Sequence, residues 1–221
     1  MIKLCGRFTL DTSIEVLESE LGIALTEFEP SYNIAPTQQV LSIVGTKEGR
    51  KSGYLQWGLV PSWAKDLKIG SKMINARSET VDEKPSFKRL LSRRRCLIVA
   101  DSFYEWKRKE KDKQPYRITV NDGRLFTFAG LWDRWIKRDQ ELVTCTILTT
   151  KPNHLMQSIH DRMPVILQEK NQNNWIDPTI TDKTFLKSLL VPLDSSIMKA
   201  YPVSKKVNNP SNNDKSIIDP V

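Results

Sequence analysis

Cys5 stands close to the start of the chain, in the run Cys5-Gly6-Arg7-Phe8. As a first residue it would carry an α-amine and a thiol on adjacent carbons. A 1,2-aminothiol of this kind condenses with an aldehyde to a Schiff base and closes to a thiazolidine ring. The amine titrates at about 8 and the thiol at about 8.5 in water, so both nucleophilic forms are accessible near neutral pH. The competing reading is a small buried hydrophobe at the start of a strand. Glu105 lies among aromatic residues in Ser102-Phe103-Tyr104-Glu105-Trp106-Lys107. It is either turned to the surface or has a raised pKa suited to acid–base work. His160 lies in Ile159-His160-Asp161-Arg162-Met163-Pro164 and is one of only 2 histidines. A lone histidine is usually structural, but a helix-to-strand junction is a place where a catalytic group can be presented. In Ile74-Asn75-Ala76-Arg77-Ser78-Glu79-Thr80 the polar residues Asn75, Arg77 and Glu79 alternate. On a strand they share one face, as the residues of a solvated face would.

The elements that must position these groups are mostly strands. Thr12-Ser13-Ile14-Glu15 reads as a capping box opening a helix, with Ile14, Leu17 and Leu21 on one face and Gly22 as its stop. Residues 30–37 are bracketed by Pro30 and Pro36 and cannot be regular helix. Asn33 within them is a turn residue or a polar contact in a cleft. Residues 39–44 and 51–57 read as paired strands. Trp63, followed by Lys65 and Asp66, reads as partly exposed and as a stacking platform. Residues 85–91 read as a short helix, and Arg93-Arg94-Arg95 as a phosphate-binding cluster or a solvated turn. Strands follow at 96–100 and 102–107, then a charged loop at 107–113. Asn121-Asp122-Gly123 reads as the turn of a hairpin between 116–120 and 125–129. A strand at 144–149, a short helix capped by Asn153, and helices at 169–176 and 181–190 complete the reading. From residue 208 the chain is rich in Asn, Ser, Asp and Pro and reads as a disordered tail to residue 221, after a domain of residues 1–207.

Composition narrows the function. A chain of 221 residues can bury a sizeable core. It holds no apolar run long enough for a membrane span, and its start lacks the apolar stretch of a secretory signal. The 3 cysteines, Cys5, Cys96 and Cys145, fit neither a disulfide framework nor a structural zinc site, which points to a reducing cytoplasm. No metal-ligand cluster and no phosphate-binding glycine loop is present, so no cofactor is expected. A net charge of +8 and 6 tryptophans favour nucleic acid over membrane as partner.

Taken in order, Cys-Gly-Arg-Phe, Tyr-Asn-Ile-Ala-Pro-Thr, Trp-Gly-Leu-Val-Pro-Ser-Trp, Ile-Asn-Ala-Arg-Ser-Glu-Thr, Asp-Ser-Phe-Tyr-Glu-Trp and His-Asp-Arg-Met-Pro resemble the SRAP family. These are the SOS-response-associated, abasic-site-processing proteins, historically classed as thiol peptidases. The resemblance runs from Cys5 to about Val207. It implies an α+β fold of mostly antiparallel curved sheets forming a barrel-like core, with flanking helices and a basic cleft. It implies a monomeric sensor of abasic sites in single-stranded DNA, acting by a thiazolidine crosslink that shields the lesion. By the same resemblance Cys5 is the nucleophile and Asn75 holds the sugar or adduct. Glu105 orients and deprotonates the amine or activates water, and His160 shuttles protons. Arg7, Asn33, Trp63, Arg77 and Arg162 grip phosphates or stack on bases beside the lesion.

One departure bears on that chemistry. Met1-Ile2-Lys3-Leu4 precedes the cysteine, where the family pattern has methionine alone. Removing methionine would not expose Cys5, so the expectation is a later start, a protease, or self-cleavage at Leu4-Cys5. Two other functions compete. A cysteine-nucleophile amidohydrolase or peptidase would turn over glutamine or a peptide ester. A non-covalent single-strand-binding protein would hold undamaged and abasic strands alike.

Overall fold

The structure is a computed structural model that describes residues 6–109 and 112–221. The chain opens with strand β1 (Phe8–Leu10), helix α1 (Ile14–Leu21) and strands β2 (Ser31–Ile34), β3 (Gln39–Thr46), β4 (Gly49–Trp57) and β5 (Asn75–Arg77). Strands β6 (Arg95–Ala100), β7 (Ser102–Lys109), β8 (Asp112–Val120), β9 (Phe126–Lys137) and β10 (Gln140–Thr150) follow. Helix α2 (His154–Gln157), strands β11 (Met163–Pro164) and β12 (Ile166–Leu167), helices α3 (Glu169–Ile176) and α4 (Lys183–Ser188), and strand β13 (Met198–Pro202) complete it.

Five strands close on themselves. β10 pairs with β4, β4 with β3, β3 with β6, β6 with β9, and β9 returns to β10, so the fold is α+β around a closed barrel. Only the β4–β10 pairing is parallel in that ring. A second sheet, in the order β13-β8-β7-β1-β2, lies against it. Strand β6 is buried at every position, which is why its sequence, Cys96-Leu97-Ile98-Val99-Ala100, is a continuous apolar run and not an alternation. Between the layers, the Phe8 ring meets Trp57 at 5.2 Å and Phe128 at 5.6 Å.

Helix α1 forms one residue later than the capping box Thr12-Ser13-Ile14-Glu15 implies, with Ser13 and not Thr12 as its N-cap. Ser13 accepts from the Val16 N–H, and Gly22 ends the helix in the left-handed region at φ 60°. Helix α3 matches residues 169–176, and it is clamped to the barrel by Arg95. That side chain is 4% exposed. It donates to the carbonyls of Trp175 and Asp177, to Leu91 at 3.0 Å and to Ile180 at 2.9 Å. The Arg93-Arg94-Arg95 run is therefore neither a phosphate cluster nor a solvated turn as a unit. Arg94 is partly exposed and pairs with Asp133, Arg95 is internal, and Arg93 is exposed.

Four other expectations are corrected. Asn121-Asp122-Gly123 is a tight turn, with φ of 46°, 59° and 88°, but it does not close a hairpin. β8 pairs with β7 and β13, whereas β9 joins the barrel, so this turn carries the chain between layers. The local signal was real; pairing is a tertiary property. The charged stretch 107–113 runs into strand, because β7 and β8 pair as far as Lys109 and Asp112. Residues 80–94 wind through successive turns in place of a short helix at 85–91. Residues 208–221 are packed: Ile217 and Ile218 are buried with Val203 and Val207, and Val203 bridges Pro220. Two adjacent isoleucines outweigh the polar composition around them.

Candidate functional site

Cys5 lies outside the described residues. Its covalent neighbour Gly6 lines a cavity of about 360 Å³, together with Arg7, Thr37, Ser71, Trp106 and Pro210. Strand β1 pairs with β7 as Phe8↔Phe103 and Thr9↔Ser102, and the Tyr104 N–H donates to the Arg7 carbonyl at 3.0 Å. Continuing that register one step brings Gly6 opposite Glu105. Glu105 is 1% exposed and so is not surface-directed. Alternation along β7 puts it on the face of Phe103, towards the barrel, with Tyr104 and Trp106 on the other face.

The cavity wall owes its shape to the C-terminal segment. The Arg7 guanidinium donates to Asn33 Oδ1 at 2.8 Å, to the Val207 carbonyl at 2.7 Å and to the Asn208 carbonyl at 3.3 Å. The amide of Asn33, itself buried, donates to the carbonyls of Asn209 at 3.0 Å and Asn212 at 2.7 Å. Trp106 Nε1 donates to Asn208 Oδ1 at 2.7 Å. Arg7 and Asn33 thus hold the segment that carries Pro210 to the rim. Burial pulls the Arg7 pKa below its ordinary value.

A second group gathers where β5 runs parallel to β10. Asn75 aligns with Ile147 and Arg77 with Thr149. Arg77 is exposed. Glu79 has left the strand for a single helical turn at Ser78–Thr80, so the strand face holds only Asn75 and Arg77. Arg162 is engaged bidentately by Glu79, at 2.5 and 2.8 Å, and donates to the Thr149 carbonyl at 2.7 Å. That pairing holds the Glu79 carboxyl below the usual range. His160 Nδ1 accepts from the Arg162 N–H at 3.1 Å and lies 2.9 Å from Asp161 Oδ1. Burial lowers the His160 pKa, against the pull of exposed Asp161, and Arg108 at the end of β7 lowers it further.

The lowered His160 pKa has a sign that can be tested. Below the ordinary histidine value the unfolded chain takes up a proton that the folded chain resists, so stability falls with pH. The melting temperature of the wild type is expected to drop more between pH 7.5 and pH 5 than that of His160→Gln, as followed by circular dichroism. Parallel pH profiles would remove His160 as the cause.

Trp63 is 60% exposed, at the tip of a turn that is firmly held. The Ala64 N–H donates to the Pro61 carbonyl at 2.8 Å, Ser62 N–H to Asp133 Oδ2 at 2.7 Å, and Trp135 Nε1 to the Ala64 carbonyl at 2.8 Å. Behind it, Gly58 at φ 128° and Gly70 meet backbone to backbone; a Cβ on Gly58 would sit 2.8 Å from the Gly70 carbonyl oxygen. That close approach seats the Leu67–Lys72 turn, and with it Ser71, on the cavity wall.

Thr37, Ser71 and Pro210 are wall residues that residue types alone did not single out. Thr37 had a readable signal. Ala35-Pro36-Thr37-Gln38 is a turn closed by Gln38 N–H to the Ala35 carbonyl at 3.2 Å, and proline at its second position favours a third residue in the left-handed region. Thr37 is there, at φ 78°, which is costly for a β-branched side chain. Thr37→Gly is expected to raise stability by about 1 kcal/mol in urea unfolding. A loss of stability would mean that side-chain contacts of Thr37 outweigh the strain.

Residues 4–210 match the family described as SOS response associated peptidase (SRAP). The abasic site processing protein YoqW of Bacillus subtilis is 51% identical, covering 98% of this chain and 99% of that protein. The abasic site processing protein HMCES of Xenopus tropicalis is 33% identical, over 85% of this chain and 65% of that one. A crystal structure of a Bacteroides thetaiotaomicron protein superposes with a TM-score of 0.90 at 27% identity, covering 98% of this chain and 100% of that one.

Proposed function

Since the chain belongs to the SOS response associated peptidase (SRAP) family, we propose that it processes abasic sites in single-stranded DNA by covalent capture through Cys5. The observation that carries this reading is the position of Gly6, the residue bonded to Cys5. It lines a cavity, and the β1–β7 register, continued beyond Phe8↔Phe103, brings it opposite the buried Glu105.

The chemistry follows from an aminothiol meeting an aldehyde. The α-amine of Cys5 adds to C1′ of the ring-opened deoxyribose, and the carbinolamine loses water to give an imine. The thiolate then adds to the imine carbon, and the nitrogen takes a proton. One C–N and one C–S bond form, one water leaves, and no oxidant is consumed. Glu105 accepts the proton that the ammonium must lose before attack. Asn75 offers an amide to the sugar hydroxyls, and His160, neutral near pH 7, relays protons as the carbinolamine dehydrates. Arg77 and Trp63, both exposed, contact the strand. Arg7, Asn33 and Arg162 act chiefly by holding the walls, since the Arg7 guanidinium, the Asn33 amide and both terminal nitrogens of Arg162 donate within the protein.

This reading requires Cys5 to become the first residue. Hydrolysis of the Leu4–Cys5 peptide bond, by the thiol itself in keeping with the family's peptidase description, would release residues 1–4. Intact mass of the purified protein, before and after incubation with an abasic-site oligonucleotide, tests both parts. The expected result is a chain beginning at Cys5 and a covalent adduct one water lighter than the sum of its components. A chain that keeps Leu4 and gives no adduct would leave a non-covalent strand-binding protein.

A further inference from the structure

Beyond the cavity at Gly6 the surface continues as two further hollows that share walls in series. Ser71 borders both the first cavity and a second of about 520 Å³, whose rim carries Lys65, Lys68 and Lys72. Trp63 borders the second and also a third, of about 420 Å³, lined by Lys88, Arg89 and Arg93. All six of these cations are exposed. Among the described residues, no ion pair engages Lys88, Arg89 or Arg93. Arg94, beside them, is committed to Asp133. The same Asp133 carboxylate accepts the Ser62 N–H at 2.7 Å, so one buried acid fixes both the Trp63 turn and the base of the third groove.

We propose that the third groove is a second binding site for single-stranded DNA, in which Lys88, Arg89 and Arg93 hold phosphates of the strand that leaves the lesion cavity past Trp63. The proposal rests on the reading of this chain as a binder of single-stranded DNA. Two features of the groove select a nucleic-acid strand over other polyanions. A large ring exposed on a rigid turn is a base-stacking platform, tolerant of sequence because every base has a π-face. Cations lie on both sides of that ring, which suits a backbone running past while one base turns onto the indole. A tryptophan 60% exposed on a turn that its neighbours hold by three hydrogen bonds gains little for the fold by its position. Asp133 is here a positioning residue: it acts on the strand only through the turn and Arg94.

The test uses oligonucleotides bearing a tetrahydrofuran abasic analogue, which cannot open to an aldehyde, extended by steps on the 5′ or the 3′ side. Fluorescence anisotropy gives affinity and its salt dependence. Extension on one side only is expected to tighten binding by the wild type. The triple variant Lys88→Ala/Arg89→Ala/Arg93→Ala should lose that gain, keep wild-type affinity for the shortest oligonucleotide, and show a log–log salt slope shallower by about 2, at roughly 0.7 per phosphate contact on a single strand. Trp63→Ala should weaken the extended strand about tenfold or more. The inference is overturned if the triple variant keeps the gain and the slope. It is also overturned if inorganic polyphosphate competes as well as the extended strand while Trp63→Ala changes nothing. Failure of the wild type to crosslink an authentic abasic strand would count against covalent capture alone, because the analogue reports binding without chemistry.

Discussion

A chain beginning at residue 5 with Cys5→Ser is expected to give no stable adduct with an abasic strand, only an imine that can be trapped by borohydride. The substitution keeps the α-amine and its path to the aldehyde. It replaces the thiolate, accessible near neutral pH, by a hydroxyl that does not ionise there. The first bond therefore forms and the second does not, and the adduct surviving denaturing electrophoresis should fall by about a hundredfold or more. The split is informative because Glu105 acts before it. Glu105→Gln should slow the trapped imine and the stable adduct alike, whereas Cys5→Ser should spare the first. An undiminished stable adduct in Cys5→Ser would refute the thiazolidine and point to another nucleophile.

The second large effect is on stability. Arg95→Ala is expected to cost about 3–5 kcal/mol, because four carbonyls, two of them buried and two part-buried, lose a charged donor together. For a chain of this length that is a fall in melting temperature of roughly 10 °C. Burial pushes the Arg95 guanidinium down to about 10, so it remains protonated at neutral pH and keeps its donors. Arg95→Lys should rescue little, since one ammonium cannot span carbonyls on residues as separate as Leu91, Trp175 and Ile180. A melt of Arg95→Ala within about 2 °C of wild type would show that helix α3 is held by its apolar face alone.

How legible these features were in the chain depends on the distance over which they are determined. Helix α1 was readable because its cap, its apolar spacing and its terminal glycine all lie within residues 12–22. Strand β6 was readable from an apolar run alone. Glu105 stood out because its own neighbours are aromatic, and the burial is shared with them. Arg93 and Arg95 are two residues apart and chemically identical, yet one faces solvent and the other the core. Only the later arrival of residues 175–180 decides which. Asn121-Asp122-Gly123 specified a turn and left its partners open, since three positive φ angles fix a change of direction and not a ladder. The walls of the cavity were the least legible part. Ser71 reaches it through the Gly58–Gly70 contact, and Pro210 through the donors of Arg7 and Asn33.

The closed barrel also shelters two thiols of this chain. Cys96 and Cys145 are both fully buried, and burial raises the pKa of each, so neither presents a thiolate to reagents in water. Of the 3 cysteines, the barrel shelters 2. An aromatic disulfide reagent added to the native protein should accordingly report on Cys5 alone, and capture of a sugar aldehyde should silence that signal. Denaturant should then release the other two at once, as the ring of strands opens. A colorimetric count of sulfhydryls becomes both a test of the proposed role of Cys5 and a gauge of whether the barrel is shut.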